Sequence, residues 1–164
     1  MNLFQGSLVT KMTDQNQKLY TQSIENRKIL YKYNKIEHRI VTEIEISNPN
    51  NFETSIQCKA LWDTGADYCM VSENIINNLD LFYMGTTDME SAGGIVNTEV
   101  YSIGLSIPNF ASFSGILATK SYMDEYDFII GMNLIKQGNF SINNYGGKTT
   151  FSFVYPPEPY SPQL

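Results

Sequence analysis

The chain offers a transition metal very little: one histidine, His38, and two cysteines, Cys58 and Cys69, in 164 residues. A four-ligand zinc centre would need carboxylates to complete it, and a disulfide framework needs more thiols, so neither is expected. The lone histidine would also have to activate either thiol. A cysteine or serine nucleophile is therefore disfavoured, and both cysteines read as small core residues. Cations are scarce as well: 11 Lys and Arg, scattered along the chain, stand against 17 Asp and Glu, for a formal net charge of −6. A phosphate backbone is gripped by clustered Lys and Arg that release counterions, so nucleic acid is not an expected partner. No stretch approaches the roughly 18 consecutive apolar residues of a spanning helix, so no membrane partner is expected. Residues 1–10 carry neither a charged leader nor a sustained apolar run. A secretory signal is thus not expected, and the cytoplasm is the expected location.

What the chain does have is 42% hydrophobic residues, 13% of all residues being aromatic, enough for one ordinary core. Residues 1–27 are polar and without sustained period, and read as an arm; 28–155 read as the folded domain and 156–164 as a Pro-rich tail. Within the domain, Ile40, Thr42, Ile44 and Ile46 alternate with Val41, Glu43, Glu45 and Ser47, the signature of a half-buried strand. Asn48-Pro49-Asn50-Asn51 turns the chain into a second strand, on which Ile56, Cys58, Ala60 and Trp62 share a face. Ser72 reads as the N-cap of a short helix over Glu73 to Leu79. Ala92-Gly93-Gly94 reads as the tip of a long hairpin, and 110–119 and 127–130 as further strands. Leu134 to Gln137, closed by Gly138, reads as a helical turn or two, and 140–142 with 149–154 as a last hairpin. Many short strands punctuated by turns, without an internal repeat, predict an all-β barrel.

The second strand ends on Asp63-Thr64-Gly65-Ala66. A carboxylate that follows Leu61 and Trp62 at the end of a buried strand is costly unless it is used. Gly65 permits a sharp turn, and the Thr64 hydroxyl can fix the loop against a neighbouring one. Asp-Thr-Gly also suits a plain turn, and the string alone leaves both readings open.

Three strings taken in order resemble the retropepsins, the single-domain aspartic peptidases of retroviruses and their cellular and bacterial relatives. They are Ala60-Leu61-Trp62-Asp63-Thr64-Gly65-Ala66-Asp67, then Gly93-Gly94-Ile95 in the place of a flap, then Ile129-Ile130-Gly131-Met132-Asn133-Leu134-Ile135. The likeness runs from about Arg39 to Val154. It implies a closed acid-protease barrel with a flap hairpin and one or two short helices. It further implies an endopeptidase without metal or cofactor, with Asp63, Thr64 and Gly65 as the catalytic motif. Ala66, Asp67, Gly93, Gly94, Ile95, Val96 and Ile129 would bind an extended polypeptide substrate, and Gly131 and Asn133 would support the loop. Many viral members carry Arg where Met132 stands here, so another group must brace the active-site loop.

Peptide hydrolysis of this kind uses two carboxyls on one water, one ionised to take its proton and one protonated to donate to the scissile carbonyl oxygen. The chain supplies one such motif, so the resemblance implies a homodimer with Asp63 facing its own copy across a two-fold axis. Paired aspartates of this enzyme class are the standard instance of proton sharing. Two unit charges roughly 3 Å apart at an effective dielectric of about 20 repel by about 5–6 kcal/mol. Two other readings fit the sequence: a dimer of the same fold that binds peptides without cutting them, and a monomeric β-barrel with a chance motif.

Overall fold

Thr42, Ile44 and Ile46 are all buried, while Val41, Glu43 and Glu45, which alternate with them, are half-exposed, so the alternation read in the sequence folds as a strand with one buried face. The computed structural model describes residues 8–10, 20–25, 28–91 and 93–159. In chain order its elements are β1 (Leu8–Thr10), β2 (Tyr20–Glu25), β3 (Lys28–Tyr33), β4 (Val41–Asn48), β5 (Asn51–Trp62) and β6 (Cys69–Val71). There follow α1 (Glu73–Leu79), β7 (Phe82–Ser91), β8 (Gly94–Ile107), β9 (Ala111–Lys120), β10 (Phe128–Ile130) and α2 (Met132–Ile135). The chain closes with β11 (Asn139–Asn143) and β12 (Thr150–Val154), with a 3-10 turn over Tyr145–Gly147 between them. Two compact units result, one from Val41–Ile135, the other from Met1–Ile40 with Lys136–Leu164.

The first unit is a barrel. Its strands follow the order β4-β5-β10-β6-β9-β8-β7, and β8 also pairs back onto β4 through Glu45↔Ser106 to Ser47↔Gly104. Six strands are thereby closed into a ring, which removes the sheet edges that an open sheet would expose. Only β7 stands outside it, paired with β8 alone as the second arm of a hairpin. Phe128, Ile130, Ile103, Leu105 and Ile107 fill the interior, and α1 adds Ile75, Ile76 and Leu79. That helix is capped as expected: the Ser72 hydroxyl accepts from the Ile75 N–H at 3.4 Å.

In the second unit, β1-β2-β3-β12-β11 form one sheet around buried Ile29, Tyr31, Phe151 and Phe153. The rings of Tyr31 and Phe140 pack on Phe151 at 5.9 and 5.3 Å. The stretch read as a period-free arm thus contributes two strands, with β2 in register against β3 from Tyr20↔Tyr33 to Glu25↔Lys28. A mostly polar strand such as Tyr20-Thr21-Gln22-Ser23-Ile24-Glu25 gives no clear two-residue apolar signal, because its ladder partner defines it. The rest of the arm, Ala92 at the hairpin tip and residues 160–164 of the tail lie outside the described residues.

The helix expected to end at Gly138 is displaced. It begins at Met132, directly after β10, with the N–H groups of Leu134 and Ile135 donating to Gly131 O at 3.1 and 3.0 Å. Gly138 instead packs against Val154 and Phe153 of β12. No helix among the described residues is long and apolar enough to cross a membrane.

Candidate active site

The barrel wall carries Asp63 to its position by a parallel ladder. β10 runs beside β5 in register, Phe128↔Ala60 to Ile130↔Trp62, and the Asp63 N–H extends that ladder by one bond, to Ile130 O at 2.9 Å. Just before it, Trp62 is buried and its indole Nε1 donates to Thr42 Oγ1 at 3.0 Å, which fixes the end of β5 against β4. β10 also pairs antiparallel with β6 on its other side. Residues 63–68 therefore join the two strands that flank β10 and must pass over its end.

Asp63 is half-buried, and its Oδ1 accepts from the Gly65 N–H at 2.8 Å. Thr64, Gly65 and Asp67 are exposed, whereas Ala66 is buried. The Ala66 carbonyl accepts from Met132 N at 2.7 Å and the Asp67 carbonyl from Asn133 N at 3.0 Å. Asn133 ties the loop a second way: its Oδ1 accepts from Cys69 N at 2.9 Å, and its Nδ2 donates to Leu117 O at 2.7 Å. One amide side chain so links the exit of the loop to β9, and the N-terminus of α2 holds the loop's own carbonyls. Asn133 and the N-terminus of α2 thus brace the loop. The resemblance pointed to Asn133, but no local pattern marks its partners, Cys69 and Leu117.

Gly131 lies where the loop crosses. A Cβ there would come within 2.3 Å of Tyr68 O, 2.4 Å of Tyr68 C and 2.9 Å of Ala66 O, so the crossing tolerates no side chain. Ile129, half-buried, is paired with Leu61 on one side and Met70 on the other. The structure thus gathers Asp63 to Asp67, Ile129, Gly131 and Asn133 into one knot of backbone. Gly93, Gly94, Ile95 and Val96 are set apart from it, at the tip of the β7–β8 hairpin, with β6 and β9 lying between β10 and β8 in sheet order.

The hairpin has two chemically distinct faces. Met89↔Val96, Thr87↔Thr98 and Gly85↔Val100 share one, and Val100 is buried, so that face continues into the barrel. Glu90↔Ile95, Asp88↔Asn97 and Thr86↔Glu99 occupy the other, where the Asn97 amide donates to Asp88 Oδ1 at 2.7 Å. Ile95 and Val96, 74% and 55% exposed, therefore point to opposite sides.

Both cysteines lie on strands beside the loop, Cys69 buried and Cys58 half-buried. Burial pushes each thiol up to about 12, with Asp127 adding to the effect on Cys58. Thiolate-requiring reagents at about pH 8 are expected to leave Cys69 unmodified in the folded protein and to modify both cysteines after denaturation, as read by mass spectrometry. An unfolded thiol ionises near 9.0 while the folded one keeps its proton to about 12. Between those values the unfolded chain binds fewer protons, so stability falls as pH rises through that window.

The fold has a solved counterpart. The chain is similar to the crystal structure of a retropepsin-like aspartic protease from Rickettsia conorii, with a TM-score of 0.51 and 14% identity over 92% of this chain and 97% of that one. The chain has a retropepsin-like fold. The retroviral protease-like domain of Ddi1 from Leishmania major is also similar, with a TM-score of 0.40 and 13% identity over 71% of this chain and 95% of that one. No protein-family model matches the sequence, and no curated protein matches it. In the retropepsin-like frame the barrel closure, the β7–β8 hairpin and the loop over β10 are backbone features, and what this chain does with them rests on its own side chains.

Proposed function

We propose that the protein is a homodimeric aspartic endopeptidase in which Asp63 of each chain faces its copy across a two-fold axis. The observation that carries this reading is the state of Asp63: a half-buried carboxylate at the end of a buried strand, oriented by the Gly65 N–H, on a loop tied down at Ala66, Asp67 and Cys69. A plain turn has no need of so much bracing, whereas a reacting carboxylate must be held to within a fraction of an ångström.

One Asp63 carboxylate takes a proton from the attacking water, and its protonated twin donates to the scissile carbonyl oxygen. The exposed Thr64 hydroxyl is available to the loop of the second chain. Asp67 holds substrate main chain, and Ile129 lines the cleft beside the reacting bond. Gly93 to Val96 fold over an extended peptide and exclude water from it. Val96, with Met89 opposite, gives the hairpin an apolar side toward apolar substrate residues.

The test is digestion of a mixed peptide library across mildly acidic to neutral pH, with sedimentation of the same preparation. Cleavage by a two-chain particle supports the reading; a dimer that binds peptides and cuts none leaves a silent peptide-binding module, and a one-chain particle removes the dyad. Ala66 has no hydroxyl to donate to the carboxylate. An Ala66→Ser variant adds one, which favours the ionised form. Its bell-shaped pH–rate profile is expected to lie on the acidic side of the wild-type profile, and coincident or reversed profiles would reject that role for position 66.

A further inference from the structure

The barrel releases its hairpin at a defined point. The last residue of β8 paired with β9 is Val100, opposite Thr119; toward the tip, residues 94–99 pair with β7 alone. Directly across from Val100 on the other arm is Gly85, in a register shift between Tyr83 and Gly85 and at φ 132°. Both arms are therefore weakest at the same level, which is where a two-stranded ribbon would bend.

Lys120, the last residue of β9, grips the hairpin just beyond that level. Its carbonyl accepts from Thr98 Oγ1 at 2.8 Å, and its Nζ lies 3.4 Å from Glu99 Oε2. The Tyr101 hydroxyl donates to the same Glu99 oxygen at 3.2 Å. The Lys120 ammonium also reaches Glu73 Oε1, in the first turn of α1, at 2.7 Å. Beside these contacts is a cavity of about 650 Å³ lined by Asn97, Tyr122 and Asp127 among others, so this arm can shift without dismantling a packed core.

We propose that the Lys120 ammonium is the latch of the hairpin: it fastens the hairpin arm, through Glu99, to the first turn of α1, through Glu73, and the hairpin swings about Gly85 and Val100 when the latch releases. The proposal rests on the reading of the hairpin as a flap that moves over the cleft. The latch is suited to repeated release. Its side chains are 35% (Lys120), 44% (Glu99) and 65% (Glu73) exposed, so water and salt compete for each contact.

Backbone hydrogen exchange of the wild-type chain, Lys120→Met and Glu73→Gln at low and high salt tests this without any need for cleavage. Methionine keeps an apolar stem against the neighbouring surface while removing the charge. In Lys120→Met, exchange of the amides of residues 86–99 is expected to rise about two- to fivefold, with β6 and β10 unchanged. Glu73→Gln is expected to give a smaller rise in the same amides. Salt should accelerate hairpin exchange in the wild type and have no effect in Lys120→Met. Equal rates in wild type and Lys120→Met, an increase spread evenly over the barrel, or the same salt response in both would overturn the latch. A chain that cuts no peptide yet shows the expected exchange pattern would sink the peptidase reading and leave the latch standing.

Discussion

Asp63→Asn is expected to lower peptide cleavage by about a thousandfold or more while leaving the melting temperature almost unchanged. Positioned acid–base catalysis contributes about 10²–10⁴ in rate, and in the proposed dimer the substitution would remove both the base and its protonated twin, because both chains would carry it. The carboxamide is isosteric, and its oxygen can still accept from the Gly65 N–H that now meets Oδ1 at 2.8 Å. The loop should therefore keep its shape, and the loss should appear in kcat and not in folding. Mixing wild-type and mutant chains separates a shared site from an independent one. If each active particle needs two intact copies of Asp63, activity falls as the square of the wild-type fraction, to roughly a quarter in an equal mixture that has re-equilibrated. If each chain worked alone, roughly half would remain. A linear dependence would reject the dyad even if cleavage were real.

How far such a site can be read from residues alone depends on whether its signals are local. β4 was legible because Thr42, Ile44 and Ile46 face one core and alternate without interruption. α1 was legible from Ser72 as cap and from Ile75, Ile76 and Leu79, which do turn inward. The ending of β5 on a carboxylate was equally visible, since a charge after buried Trp62 breaks the pattern that precedes it. β2 was missed, for it lacks a strong apolar face. The parallel pairing of β5 with β10 has no local trace, because the two are far apart in sequence and joined only by the fold. The partners of Asn133 were out of reach for the same reason: its bonds span 64 residues to Cys69 and 16 to Leu117. So was the link from Lys120 to Glu73, which spans 47. Sequence patterns record which face of an element is buried, whereas a brace is a meeting of distant segments whose residue types are individually unremarked.

Gly131→Ala is expected to destabilise the protein by about 3 kcal/mol or more, the upper range for overpacking, and to lower its melting temperature by roughly 6–12 °C. Backbone torsion is not the cause, since Gly131 does not lie in the left-handed region. The obstacle is steric: the new methyl would stand 2.3 Å from Tyr68 O and 2.4 Å from Tyr68 C. These are main-chain atoms that cannot rotate aside as the end of a side chain would. To restore ordinary contact the loop must retreat by about 1 Å, a displacement of the size that costs about a hundredfold in rate at a catalytic centre. That retreat would also pull on the 2.7 Å bond from Met132 N to Ala66 O, which anchors the same loop. Gly65→Ala is the matched comparison, because its methyl would meet only the Asp63 Oδ1 side-chain atom, at 3.2 Å. Its melting temperature should fall much less. Thermal unfolding of the two variants side by side therefore reads whether the crossing of the loop over β10 is held by close packing. If Gly131→Ala melted with the wild type, the strand and loop would have room to separate, and the loop would be held by its hydrogen bonds to Met132 N and Asn133 without close packing.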